Sequence, residues 1–279
     1  MTVKQHKPTS AGRRLSSGDS FSDITKKQPE KKLTIALHKN AGRNNQGRIT
    51  VQHRGGGAKR RYRLVDMELT RIDEPAMVVA IEYDPYRTAR IALIEYANKD
   101  RIYMLAADGM KPGDSLISTQ GTADLKPGNR LPLKHIATGT PVHNVEMFPG
   151  RKGAMVRSAG SKAIVMSQDG GCVLLKLSSG EVRKFDERCR ASIGMVSNPD
   201  WINIRWGKAG RMRYRGIRPT VRGKAMNPID HPHGGGEGNT PVGLPYPKTA
   251  QGKHALGVKT RNGKKKSNQY IVSPRKKRK

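Results

Sequence analysis

Aromatic side chains are scarce in this chain: three Phe, two Trp and eight Tyr make up 5% of 279 residues. So few rings argue against stacking on unpaired bases as a main mode of binding. Cysteine is scarcer still. Cys172 and Cys189 stand 17 positions apart with no Cys-x-x-Cys pair, which excludes a disulfide framework and a zinc ribbon and leaves two buried reduced thiols. No run approaches the roughly 18 consecutive apolar residues of a membrane span, and no apolar secretory segment follows Met1. Asp19, Asp23 and Glu30 among the first 30 residues argue against a mitochondrial transit peptide. The chain is expected to work in the compartment where it is made.

Negative charge is the next shortage. Against 54 Lys and Arg stand 22 Asp and Glu, a formal charge of +32 with a pI near 10.6. Such a charge opposes compaction unless a polyanion neutralises it. Its distribution is uneven: residues 1–60 carry 14 basic and 3 acidic side chains, residues 61–200 carry 20 and 17, and residues 201–279 carry 20 and 2. The centre is balanced like an ordinary domain. The ends, poor in apolar residues, read as extended arms that order on a partner.

The central block has the spelling of short strands. Apolar, β-branched runs occupy Tyr62 to Leu69, Ala76 to Tyr83, Arg90 to Tyr96, Ile102 to Ala106, Val142 to Met147, Ala163 to Met166, Cys172 to Leu177, Val182 to Phe185 and Ala191 to Val196. Lys111-Pro112-Gly113-Asp114 recurs as Lys126-Pro127-Gly128-Asn129, and Pro149-Gly150 follows; proline at the second position and glycine at the third specify type II turns. Short strands with such punctuation predict two small barrels that divide near Leu125 to Arg130.

Three clusters carry the functional signal. Arg43-Asn44-Asn45-Gln46-Gly47-Arg48 precedes His53-Arg54-Gly55-Gly56-Gly57-Ala58-Lys59-Arg60-Arg61-Tyr62-Arg63. Guanidinium forks suit phosphate, and bare glycine backbone can approach it closely. The bland alternative is a solvated loop or a localisation signal. In Gly207 to Gly223, Lys208, Arg211, Arg213, Arg215, Arg218 and Arg222 recur every two to four residues beside Tyr214, a spacing that lets an extended strand meet successive phosphates. Trp201 is expected in the core at the edge of the second barrel, and Trp206 could stack on a base. Asp230-His231-Pro232-His233-Gly234-Gly235-Gly236-Glu237 is the cluster that resembles an enzyme site. Pro228 and Pro232 deny it a helix or central strand, and no third distant metal ligand stands out. A loop against nucleic acid, or one bracing itself, is preferred over a metal site or an acid–base pair. Val258 stands where a Walker loop needs lysine, and neither a Gly-x-Ser-x-Gly elbow nor a Gly-x-Gly-x-x-Gly fingerprint opening a helix occurs. The chain is not expected to be an enzyme.

Arg205 to Gly238, with Gly207-Lys208-Ala209-Gly210, Arg218-Pro219-Thr220-Val221-Arg222-Gly223 and the His-Pro-His loop, closely resembles the second ribosomal protein of the large subunit in its bacterial-type spelling. So do Gly42-Arg43-Asn44-Asn45, His53 to Gly57, Glu82-Tyr83-Asp84-Pro85, Val142-His143-Asn144-Val145-Glu146 and Arg157-Ser158-Ala159-Gly160. The resemblance implies an all-β fold: a basic arm (1–60), an OB-fold barrel (61–127), an SH3-like barrel (128–200) and a basic extension (201–279). It implies large-subunit ribosomal RNA as partner, with neighbouring ribosomal proteins and the small subunit at the interface, and no membrane. The place implied is beside the peptidyl transferase centre, in the cytoplasmic ribosome, an organelle ribosome being the alternative. No cofactor is implied beyond structural Mg or K ions of the RNA.

The RNA-binding set then comprises Arg43, Asn44, Arg48, His53, Arg54, Gly55, Gly56, Gly57, Lys59, Arg60, Arg61 and Arg63 of the first cluster, the six cations of the second, and His231, His233, Gly234, Gly235 and Gly236. Arg87, Lys152 and Arg157 join it from the barrel loops. Asp230 and His231 form the loop nearest the peptidyl transferase centre, His231 as a structural contact. Tyr86 stands where such proteins commonly have Asn, Arg151-Lys152 replaces a more usual Lys-Gly, and Thr240 to Asn262 is unusually spelled. A histone-like condenser of DNA is the rival from composition, and a metal-dependent hydrolase the rival from the His loop.

Overall fold

The computed structural model of the protein describes residues 3–275. They form two compact units, one of residues 3–38, 59–208 and 269–275, the other of residues 39–58 and 209–268. Every buried apolar side chain among the described residues belongs to the first unit. None of its helices, and none in the second, is long and apolar enough to cross a membrane.

The first unit opens with two small antiparallel pairs, β1 (Val3–Gln5) with β2 (Ser17–Asp19) and β3 (Thr34–Ala36) with β4 (Arg61–Arg63). The run expected to extend to Leu69 stops early. Asp66 Oδ1 accepts the N–H groups of Glu68 at 2.7 Å and Leu69 at 3.0 Å, a side-chain turn that removes those donors from any ladder.

Next comes the OB-fold barrel, with β5 (Ala76–Glu82), β6 (Ile91–Tyr96), β7 (Arg101–Leu105) and β8 (Ser115–Leu116) in the order β7-β6-β5-β8. In β6, Ile91, Ala92, Leu93 and Ile94 are all 0% exposed. That strand is covered on both faces, which is why it reads as an unbroken apolar run. Ala92 and Ile94 join Leu69, Val78 and Met104; Ile91 and Leu93 join Ala80, Tyr103 and Val65. A bulge between Val78 and Ala80 bends β5, and a parallel bridge from Val65 to Tyr103 curls the sheet toward closure.

The SH3-like barrel is built from β9 (Arg130–Pro132), β10 (Pro141–His143), β11 (Ala163–Asp169), β12 (Cys172–Lys176), β13 (Val182–Asp186), β14 (Arg190–Ile193) and β15 (Ile271–Ser273), ordered β15-β13-β12-β11-β10-β14-β9. Leu131, Leu133, Ile136, Val142, Val145, Val173 and Leu175, each 0% exposed, fill it, each stabilising the fold by about 1.5–3 kcal/mol on area arguments. The expected strand from Val142 to Met147 breaks at Asn144, which takes φ 49° and donates its side-chain amide to the Met67 carbonyl at 3.0 Å. The Pro-Gly signals are turns as spelled, closed by Asp114 N–H to Lys111 at 3.3 Å and Asn129 N–H to Lys126 at 3.2 Å.

The three acidic residues of the N-terminal arm fix part of it to the OB barrel. Arg90, 1% exposed, pairs with Asp19 at 2.7 Å and Asp23 at 2.8 Å. Glu30 pairs with Lys26 and with Arg101, each at 3.6 Å, and its N–H donates to the Tyr103 hydroxyl at 2.8 Å. That hydroxyl donates to Glu82 at 2.6 Å; burial raises the Glu82 carboxyl above its ordinary range. Residues 19–36 are thus held by the protein itself, before any partner is bound.

The second unit joins parts of both arms. It carries 17 Lys and Arg against Asp230 and Glu237, and none of its residues is buried. Apart from a short helix, Ala209–Tyr214, it is loop held by hydrogen bonds.

Candidate nucleic-acid interface

Residues 43–50 form a loop closed by Asn44. Its Oδ1 accepts the N–H groups of Gln46 and Arg48, both at 3.0 Å, and Gly42 O accepts those of Thr50 and Val51 at 2.9 and 3.0 Å. The acceptor end of Asn44 therefore braces the loop, while Arg43 and Arg48 point outward, exposed.

The first glycine triplet meets the second arm. Gly55 N–H donates to Gly216 O at 3.0 Å, Ala58 N–H to Tyr214 O at 2.9 Å, and Arg218 N–H to His53 O at 3.0 Å, with a bridge between Arg54 and Ile217. A Cβ on Gly57 would lie 2.8 Å from Gly216 N and from Tyr214 O, closer than any side chain tolerates. The missing side chain at Gly57 thus permits contact between two protein segments. Gly56, with nothing within 4 Å, is the member whose bare backbone faces open space. His53, Arg54, Lys59, Arg213, Arg218 and Arg222 are exposed around this junction; Arg215 is exposed and Arg211 half-buried.

The His loop folds on itself. Asp230 N–H and His231 N–H both return to Asn227 O, at 3.0 and 3.3 Å, Gly234 N–H to His231 O at 2.8 Å, and Gly235 N–H to Met226 O at 3.1 Å. A Cβ on Gly234 would collide with Asn227 O, and one on Gly236 would lie 2.6 Å from Thr240 Oγ1, so the second triplet also serves chain-to-chain packing. His231 Nδ1 accepts the His233 N–H at 3.0 Å, and His233 Nε2 accepts the Lys248 N–H at 2.8 Å. Those bonds assign the neutral tautomers: Nε2–H on His231, Nδ1–H on His233. The rings meet edge to face, centroids 4.7 Å apart, and His231 lies where a side chain on Gly223 would be. Because His231 Nδ1 is an acceptor, it has no proton to share with Asp230, whose side chain is exposed. No cluster of three or more His, Cys, Asp or Glu able to hold a metal ion occurs among the described residues.

On the first unit the expected residues fare differently. Lys152, Arg157 and Lys208 are exposed. Arg61 is exposed, but it donates through Nε to Thr34 Oγ1 at 3.1 Å and through NH2 to Thr34 O at 3.0 Å. Arg63 turns inward: it is 8% exposed and donates to Arg61 O at 2.9 Å. Arg87 pairs with the fully buried Asp84 and reaches the Tyr62 hydroxyl at 3.3 Å. Arg60 donates to Pro85 O at 3.0 Å and lies 4.4 Å above the Tyr86 ring. Alternation and charge counting miss both that stacking and the exposed pair Phe21–Tyr83 beside it, since each depends on segments distant in sequence.

Two family models match this chain. Residues 30–118 match Ribosomal Proteins L2, RNA binding N-terminal domain, and residues 126–252 match Ribosomal Proteins L2, C-terminal domain. The first match covers the OB barrel; the second takes in the SH3-like barrel's β9 to β14, the arginine-rich helix and the His loop. Between them they span most of the chain and assign it RNA binding in translation. The protein belongs to the ribosomal protein L2 family, rRNA-binding structural proteins of the large ribosomal subunit.

Proposed function

We propose that the chain binds large-subunit ribosomal RNA beside the peptidyl transferase centre and the subunit interface. There it supports subunit association, tRNA binding and assembly of the catalytic RNA, among neighbouring ribosomal proteins, without catalysing the reaction itself. The observation that carries this reading is the second unit: 17 cations, two carboxylates and no buried residue. A body so charged and without a core gains its stability when its cations displace counterions from phosphates. Arg43, Arg48, Arg54, Arg213, Arg218 and Arg222 are the phosphate contacts, Gly56 the close backbone approach, and Asp230 and His231 the loop nearest the catalytic RNA. The two barrels supply the rigid shape that docks.

The test is filter binding of the purified chain to structured large-subunit rRNA and to duplex DNA across a salt series. Preference for the rRNA is expected, with log affinity falling on log salt by about 0.7–0.9 per neutralised phosphate. Equal affinity for duplex DNA supports the condenser instead. In particles, His231→Ala is expected to weaken assembly; turnover of a substrate by the isolated chain, abolished by that substitution, overturns the reading.

A further inference from the structure

Phe21 is a strained and exposed aromatic residue. Its φ is +55°, a left-handed conformation that a bulky side chain rarely adopts and that surrounding structure must impose. The imposing contacts are visible. Phe21 N–H donates to Asp19 Oδ1 at 2.9 Å, and Asp19 is itself held by Arg90. The consequence is a residue 48% exposed whose ring meets that of Tyr83, itself 44% exposed, edge to face with centroids 5.5 Å apart and planes at 84°. Arg90, almost wholly buried, sits 5.4 Å from the Phe21 centroid, so one face of the ring has a cation behind it.

Tyr83 begins the turn that ends in Arg87, and the other side of that turn repeats the arrangement. Tyr62 and Tyr86 meet edge to face at 5.5 Å, with Arg60 above Tyr86 and Arg87 above Tyr62 at 4.4 and 5.5 Å. Four of the thirteen aromatic residues are therefore gathered at one turn, although the chain has few to spend. In the Tyr62–Tyr86 pair both rings already carry a guanidinium. The Phe21–Tyr83 pair keeps an open ring.

We infer that Phe21 and Tyr83 form a stacking site for an unpaired nucleobase of the bound RNA. An exposed aromatic face with a guanidinium behind its partner ring matches that ligand. The residues next to Phe21 in sequence, Ser20, Ser22 and Asp23, are polar, which suits the polar edge of a base more than the apolar surface of a docked protein. The inference rests on the RNA-binding reading and adds a contact by stacking, which phosphate recognition does not require.

Phe21→Gly separates the roles, because glycine adopts +55° without strain while removing the ring. The full chain carrying Phe21→Gly is expected to unfold at the same temperature as the native chain or higher, and to bind structured large-subunit rRNA about 5- to 150-fold more weakly. The salt slope is expected to stay unchanged, since no phosphate contact is lost, whereas Arg218→Gln lowers it by about 0.7–0.9. Phe21→Trp is expected to restore affinity, and ultraviolet irradiation of the native complex is expected to join a nucleotide to Phe21 or Tyr83. Native affinity in Phe21→Gly overturns the site. So does a lower unfolding temperature with affinity intact, which assigns the ring to packing, or loss of binding to another ribosomal protein with rRNA affinity intact, which assigns the patch to protein docking. A native chain that fails to bind rRNA at all instead sinks the RNA-binding reading.

Discussion

Replacing Glu146 by alanine would leave two buried guanidinium groups facing each other. Glu146 and Arg130 are 0% exposed and Arg190 4%. Glu146 Oε1 accepts from Arg130 at 2.8 Å and from Arg190 Nε at 3.1 Å, and Oε2 accepts the Arg190 backbone N–H at 3.1 Å. Removing one partner of a buried ion pair costs about 3–5 kcal/mol, and here one carboxylate serves two cations and an amide. Against a total stability of about 5–15 kcal/mol for a natural domain, Glu146→Ala is expected to remove about a fifth or more. The informative control removes all three charges. Arg130→Met, Glu146→Leu and Arg190→Met together leave no unpaired ion; they orphan the Arg190 amide and the Asn144 carbonyl, neutral groups that cost less to leave unpaired than a buried charge. The triple variant is therefore expected to be more stable than the single one. Urea titration followed by circular dichroism measures both. A single variant within about 1 kcal/mol of native, or a triple variant below it, refutes the reasoning.

Three further expectations concern other groups. Burial pushes the His143 imidazole down to about 4 against only a bond from Nδ1 to Gly194 O. Below its ordinary value near 6.5 the unfolded chain takes up a proton that the folded chain refuses, so stability is unaffected above pH 6.5 and falls by about 3 kcal/mol between there and pH 4; denaturation midpoints over that range should show the slope, and a flat profile counts against it. Burial likewise pushes the Cys189 thiol up to about 12, and Cys189 is 0% exposed while Cys172 is half-buried. Iodoacetamide should then label Cys172 alone in the native chain and both in urea, as peptide mass spectrometry would reveal; labelling of native Cys189 contradicts the fold. Finally, Gly57→Ala, which adds a clash with Gly216 N and Tyr214 O to the strain of a positive φ, should speed hydrogen exchange at Gly55 and Ala58 more than Gly56→Ala, which carries the strain of φ +66° but no clash.

The parts of the fold that were legible are those where a local rule suffices. β6 announced itself by four consecutive apolar residues, and the two Pro-Gly turns by residue types that fix their own dihedrals. The strands that escaped notice, β1, β2, β3, β8, β9 and β15, are two or three residues each, and most lie in segments whose composition is basic or polar. Their pairing comes from tertiary partners, as in β15 on β13. The candidate interface divides in the same way. The exposed arginines could be counted in advance, but the inward turn of Arg63 and the use of Gly57 and Gly234 as packing positions depend on which distant segment passes close by. Phe21 is the extreme case, since its conformation is imposed by Asp19 and, through it, by Arg90, 69 positions away.

The junction between Gly55 to Ala58 and Tyr214 to Arg218 bears on synthesis. The barrels lie between these two stretches in sequence, so a growing polypeptide can complete its whole apolar interior while Gly55 and Ala58 still await the carbonyls of Gly216 and Tyr214. The polycationic body therefore closes late, after every buried apolar residue has been made but before β15, the last strand of the SH3-like barrel. A prematurely terminated product would keep both apolar cores, short of the edge strand β15, yet lack the junction, which separates the residues that build the cores from those that close the charged body.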